Sequence, residues 1–458
     1  MFGVVLRKIP RVILYISVRI GWIWPAYIVL KHVIKPACSI QSSRGPTLLA
    51  LSIERSRGDI DILAGSGCCN LYTLPGDWLF ILYSASYGIR KRLISDFFNP
   101  GENDRIRSLR RRYRGFLSKL IQKLYSSLNI DGTIGFAVHY RQDFDFGAEG
   151  NLLGYPYIVL HRENMFDNKG HQRYIEYKSR VMGRFSGSLI ITHNEVTRNA
   201  FLSSDYAKPE QVIALGCLRM DPWLKYFRED HEPCNIRNVV MFSFPPGVGL
   251  LFPERIDTGE NKNWPISRED GYYNLFCSVH WILADLAKIM PDVNFIIKTK
   301  GGGRYVAEIR KSCLTKGLII DDILNLKVTD TVSTHELIRN ASVVVAFGST
   351  VLLESGAIGK PTIMPYYEEA KSERWADYLH FSEDLDAFFL ANSEAELRSL
   401  ILEKLASPVV TSDKVTRCRH LFEKYVSPLS GSAVQRYGDA INLCLNRDNH
   451  SFRVVGLQ

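Results

Sequence analysis

The sequence predicts an α/β protein of two domains, each built on a largely parallel sheet, with a ligand cleft between them. Three observations carry this. From residue 45 onward, short apolar runs alternate with segments of helical periodicity, the pattern of strands joined by crossover helices. A charged, unpatterned stretch at 229–238, with Pro233 in it, interrupts the alternation like a linker, and the pattern then restarts. A chain of 458 residues, 46% apolar and 23% charged, suits two or three ordinary domains. That composition excludes a disordered chain, a collagen-like fibre and a polytopic membrane protein.

The elements follow in chain order. An apolar run from Val12 to Ile34 is interrupted by Arg19, Pro25 and Lys31 and contains Trp22, Trp24 and Tyr27. No small-residue cleavage site follows, so it does not read as a signal peptide. Its Pro and charges argue against a spanning helix. It reads as an interfacial anchor over 1–45, broken near Pro25; a buried helix pair is the plain alternative. First-domain strands are expected at 48–53, 79–83, 134–139, 157–160, 189–192 and 212–215, with helices near 54–64, 104–128, 171–184 and 194–203. This first domain spans 46–230. The second, 236–425, has strands at 239–244, 294–300, 342–347 and 361–365 and helices at 275–290 and 349–358. A C-terminal helix and tail occupy 426–458.

Charge is unevenly placed. Residues 1–53 hold seven basic and no acidic residues. The first 123 residues carry a formal +13 and the rest −4, within a net +9. The helix at 104–128 repeats apolar positions at Ile106, Leu109, Tyr113, Phe116, Leu117, Leu120, Leu124 and Leu128, and Arg fills much of its remaining surface. Such an amphipathic basic helix suits anionic lipid or nucleic acid. No nucleic-acid-binding pattern accompanies it, so no nucleic-acid partner is expected. Arg11, Arg19, Trp22, Trp24, Arg110, Arg111 and Arg114 are the expected membrane-binding residues, on the cytoplasmic face of the inner membrane. Nine cysteines, none in a C-x-x-C pair, indicate a reducing compartment and no structural zinc.

Ligands of open α/β sheets bind beyond the carboxyl ends of the strands, so the loops there are the ones to search. In Val343-Val344-Val345-Ala346-Phe347-Gly348-Ser349-Thr350-Val351-Leu352-Leu353-Glu354 a buried strand runs into a small-residue turn that opens a helix. Gly348 permits close backbone approach, Ser349 and Thr350 offer caps and hydroxyls, and amides at a helix start favour phosphate. Glu354, one turn on from Thr350, suits a ribose diol. Lys298 and Lys300, beside a triglycine, supply compact phosphate partners.

The block from Glu336 to Tyr366 resembles the donor-nucleotide half of GT-B glycosyltransferases of bacterial surface-carbohydrate synthesis. The resemblance implies two Rossmann-like domains facing a central cleft, with donor phosphates on Gly348, Ser349 and Thr350 and ribose on Glu354. Ile191 to Asp221 resembles the end of the first domain in the same group. There a glycine-x-arginine-x-aspartate-like turn precedes the second domain; here it is Gly216, Arg219 and Asp221, with one residue more between Gly and Arg, and it adds Arg219 to the donor side. Residues 1–130 are not covered.

Transfer with inversion needs a group to take the acceptor hydroxyl's proton. The first-domain loops offer Asp143, Asp145, Glu149, His161 and Glu163; Asp145, Glu163 and His161 are the catalytic candidates, with Asp145 and Glu163 ranked first. Asp143-Phe144-Asp145 has D-x-D spacing, but that motif marks a different, single-domain fold. No metal and no cofactor beyond the nucleotide-sugar donor is expected. The sequence thus reads as a membrane-associated, metal-independent, inverting glycosyltransferase acting on a glycan or lipid-linked acceptor. Polyol-phosphate transfer, nucleotide-sugar epimerisation and a non-catalytic module are the alternatives.

Overall fold

The computed structural model describes residues 8–38, 45–88, 98, 104–227, 237–251, 271–300 and 303–446. Most of the expected linker lies outside the described residues, as do parts of the anchor and tail.

Helices α1 (Ile9–Ile20) and α2 (Ile23–Val33) form a hairpin. The chain turns at Gly21, at φ +81°, and not at Pro25. The proline sits in the first turn of α2, where its missing N–H forfeits no intrahelical bond. Strand β1 (Lys35–Pro36) leads to β2 (Thr47–Leu51), α3 (Arg57–Gly65), β3 (Asn70–Leu74), α4 (Gly76–Tyr87) and the long α5 (Asp104–Leu128). The strand expected at 79–83 is therefore part of helix α4. A continuous apolar run cannot reveal its own period, and Leu79, Leu82, Tyr83 and Tyr87 are buried at helical spacing. Then come β4 (Gly132–Gly135), α6 (Arg141–Leu152), β5 (Tyr157–Leu160), α7 (Lys169–Met182), β6 (Leu189–Thr192), α8 (Glu195–Ser203), β7 (Val212–Ala214) and α9 (Asp221–Tyr226).

The first sheet has the order β1-β3-β2-β4-β5-β6-β7, parallel except for the short β1 edge. Every residue of β4, β5 and β6 is buried, as expected of parallel strands covered on both faces. One face packs on α4 and α5, and the hairpin adds Leu14, Val18, Ala26 and Leu30 to the same core.

The second domain runs β8 (Asn238–Phe242), α10 (Tyr273–Ile289), β9 (Asn294–Lys298), α11 (Gly303–Leu314), β10 (Leu326–Thr329), α12 (Thr334–Asn340), β11 (Val343–Ala346), α13 (Val351–Gly356), β12 (Thr362–Pro365), β13 (Phe389–Ala391), α14 (Glu394–Ala406) and α15 (Ser412–Tyr425). Its sheet, β10-β9-β8-β11-β12-β13, is wholly parallel. The final helix α16 (Ala433–Leu445) crosses back to the first domain, where Tyr437 and Ile441 pack with Leu48, Ile134 and Ile158. Asp221 caps it by accepting the amides of Ala433 and Val434 at 3.1 and 2.8 Å. The Gly216–Asp221 turn is thus the seat of the returning helix: Gly216 sits at φ +96°, and its carbonyl accepts the Tyr437 hydroxyl at 2.9 Å.

Candidate active-site cleft

The carboxyl ends of the two sheets face one another across a cleft of about 560 Å³, the size of a small-molecule site. From the first domain, His139 follows β4, His161 follows β5 directly and His193 follows β6 directly. Arg219 comes from the loop after β7. From the second, Gly247 follows β8, Lys300 follows β9, and Gly348 and Thr350 follow β11. Among the described lining residues, Arg162, Lys178, Arg219 and Lys300 are cationic and Glu163 alone is acidic. Arg219 Nε is already met by Asp59 Oδ1 at 3.1 Å, outside the lining; the remaining cations still favour an anionic ligand.

His161 is 1% exposed, and neither ring nitrogen has a hydrogen-bond partner among the described residues. Burial, with the Lys178 charge adding, lowers its pKa to about 3, so the ring is neutral. Burial also holds His193 well below its ordinary value, with Arg219 contributing. Lys178 is buried on α7, and burial brings its ammonium down to about 8 against the opposing charge of Glu163. Its place was readable: His171, Tyr174, Ile175, Lys178 and Met182 recur at helical spacing, so the lysine lies in the buried stripe.

In the second-domain turn, Gly348 adopts φ +58°, and a Cβ there would lie 2.9 Å from Val248 Cγ2. The Ser349 hydroxyl accepts the Val351 amide at 3.3 Å, whereas Thr350 donates to Glu354 Oε1 at 2.7 Å. Helix α13 is shorter than expected, six residues. Glu354 is 3% exposed, and its other oxygen meets His335 Nε2 at 3.2 Å. Burial alone would raise this carboxyl; His335 and Thr350 more than offset it, and it lies below its usual value. His335 in turn stacks on Trp223 at 4.5 Å.

Several expected site residues lie elsewhere. Asp145 is not in the cleft. It is 1% exposed beneath α5, accepting from Arg110 Nε at 3.1 Å, Arg114 Nε at 2.9 Å and the Tyr87 hydroxyl at 2.5 Å. Arg110 and Arg114 are correspondingly turned to this buried carboxylate and not to an outer face. Arg11 pairs with Asp77. The Lys298 ammonium donates to the Asp330 carbonyl at 2.5 Å and does not line the cleft, and Glu354 lies behind Thr350 with both oxygens engaged. His161, Glu163, Arg219, Lys300, Gly348 and Thr350 are brought together in the lining.

Asp167, His171 and His380 form a clasp across the domains, with both histidines in the cleft lining. His380 Nδ1 donates to Asp167 Oδ1 at 2.7 Å, and His171 Nε2 lies 2.9 Å from the Gly249 carbonyl. Their ligand atoms lie within 4.8 Å of one another, so this is the one group of metal-ligand types found together among the described residues. Its donors are turned to each other and to backbone, the Met165 carbonyl included. The pairing of this segment with His380 had no sequence signal, because the residues it joins are over 200 positions apart.

No family model matches the chain, and no curated protein does. Solved structures do. A putative UDP-N-acetylglucosamine 2-epimerase from Listeria monocytogenes is 12% identical with a TM-score of 0.51, over 90% of this chain and 100% of that one. The UDP-GlcNAc 2-epimerase of Methanocaldococcus jannaschii is 10% identical with a TM-score of 0.47, over 87% and 99%. MurG of Acinetobacter baumannii is 12% identical with a TM-score of 0.42, over 87% and 99%. The Listeria likeness concerns the fold: two Rossmann-like domains closing on a cleft with a returning C-terminal helix here, the GT-B arrangement.

Proposed function

We propose that the protein is a glycosyltransferase that uses a nucleotide-sugar donor. The observation that carries this reading is a cationic cleft at the carboxyl ends of two parallel sheets, with the unpartnered imidazole of His161 buried in it. In the proposed reaction the acceptor oxygen bonds to the sugar's anomeric carbon, and the bond from that carbon to the donor phosphate breaks. The electron pair leaves with the nucleoside diphosphate. The acceptor's proton passes to His161, with Glu163 as the neighbouring acidic group. A bound donor diphosphate offsets the Lys178 charge and so relieves that part of the depression of His161, while burial, the larger cause, remains. Lys300 and Arg219 offset the leaving charge, and Gly348 and Thr350 form the close wall, with Glu354 holding Thr350.

The same reading places the first domain against a membrane and takes the acceptor from it. Ile9, Val12, Ile13, Ile16 and Ile20 of α1 are exposed at helical spacing, opposite its buried stripe. Trp22 and Trp24 follow at 63% and 56% exposure. No helix among the described residues is long and apolar enough to cross a membrane; the exposed apolar face and its tryptophans are what suit interfacial docking on an anionic leaflet.

The test is product analysis with a nucleotide-sugar panel and a lipid-linked acceptor. A new glycosidic bond is expected. A free epimer or a transferred polyol phosphate would replace this reading with another enzyme class. Absence of turnover by folded protein would leave a binding module. His161→Ala should lower turnover by roughly 100-fold or more.

A further inference from the structure

Outside the cleft, a second cavity of about 300 Å³ lies between the N-terminal hairpin and helices α4 and α5. Val18, Ile23 and Phe116 give it an apolar wall, and Arg19, Arg112 and Lys119 line it as exposed cations. No carboxylate is among its lining residues. Arg112 donates to the Arg19 carbonyl, and Arg19 Nη1 to the Ala85 carbonyl at 3.4 Å, so these bonds leave the positive charge unneutralised. Arg112 and Lys119 are seven residues apart, two turns along one face of α5 with Phe116 between them. Three cations with no acid among them, set over an apolar floor, match a phosphate joined to a hydrocarbon chain.

The position of the cavity points the same way. Its residues Arg19, Gly21 and Ile23 alternate with Ile20 and Trp22, which are 53% and 63% exposed. Side chains of this kind immerse at the level of lipid headgroups. The cavity mouth and the immersed residues therefore share one turn of the hairpin.

We propose that this cavity seats a single anionic phospholipid, with its phosphate between Arg19, Arg112 and Lys119 and its first methylenes against Val18, Ile23 and Phe116. The proposal rests on the membrane-docking reading and adds to it a discrete lipid site.

The test uses the full chain and co-sedimentation with vesicles of phosphatidylcholine alone or doped with phosphatidylglycerol. R112Q/K119Q removes two cavity charges. R105Q/R111Q removes two charges from the same helix outside the cavity. G115L fills the cavity with all charges kept, because a Cβ at Gly115 meets nothing within 4 Å. General attraction to the doped surface costs either double variant roughly fivefold per charge. A seated lipid adds a further loss of tenfold or more in R112Q/K119Q, and a comparable loss in G115L. Equal losses in the two double variants, with G115L binding as wild type, would overturn the lipid site and leave membrane docking standing. Failure of the wild-type chain to bind doped vesicles would overturn both.

Discussion

Replacing Asp145 with Ala separates a buried structural carboxylate from a catalytic one. The side chain is 1% exposed and accepts three hydrogen bonds, two from guanidinium groups and one from the Tyr87 hydroxyl. Arg110 and Arg114 remain 17% and 25% exposed, so in the variant water reaches them in part. Breaking a fully buried pair costs about 3–5 kcal/mol; partial exposure sets the expectation at the low end, about 3 kcal/mol. With urea slopes of about 1–3 kcal/mol per molar, the unfolding midpoint should fall by roughly 1 M or more. Asp145→Asn keeps the shape and part of the bonding and should lie between. Turnover per folded molecule should be close to wild type for Asn. An unchanged midpoint together with abolished turnover in both variants would refute the structural assignment and return Asp145 to the catalytic list.

Three further outcomes are expected. His161 has a folded pKa of about 3 against about 6.5 for a free imidazole. Its contribution to stability is therefore present above pH 6.5 and is lost as pH falls toward 3. His161→Gln should remove up to one proton's worth of slope from the unfolding free energy measured between pH 6.5 and 4; an unchanged slope would contradict burial of the neutral ring. Gly348→Ala forces a side chain into φ +58° and against Val248, a cost of about 1–3 kcal/mol. Calorimetry should show weakened nucleotide-sugar binding, partly restored by adding Val248→Ala. Lys178→Met should abolish any limb of the pH–rate profile near pH 8, where the buried ammonium titrates; retention of that limb would assign it to another group.

The two-sheet architecture was readable because parallel strands announce themselves as short buried runs, and β5, β6, β11 and β12 fall where the sequence places them to within a residue or so. What escaped were elements whose pattern was ambiguous or weak. Helix α4 looked like a strand because Leu79-Phe80-Ile81-Leu82-Tyr83 is apolar throughout. Strand β10, Leu-Lys-Val-Thr, lies at a sheet edge and is only partly buried, so it lacks the apolar signature. The site was half legible for a related reason. Gly348, Thr350 and His161 sit next to their strands, so the rule about carboxyl ends finds them. His380 reaches Asp167 only through the docking of two domains, which no local pattern encodes. Asp145 misled because a carboxylate in a polar-looking loop reads as exposed, whereas here that loop is helix α6, packed under α5.

Helix α5 shows why the basic first quarter could not be assigned to one purpose from its net charge. Arg110 and Arg114 are one turn apart and meet the buried Asp145, so their charge is consumed in holding α5 to α6. Arg112 and Lys119 belong to another face and reach no carboxylate in the cavity they line. Lys123 lies 4.0 Å from the Trp24 ring and ties α5 to the hairpin. Residues of like charge a few positions apart thus do different work according to helical phase. The surplus that remains available to an outside partner is gathered beside the exposed tryptophans, whereas Arg162, Lys178, Arg219 and Lys300 form a separate cationic set lining the cleft. Removing the first set should change where the protein sits and removing the second what it turns over, and each effect is measurable without the other.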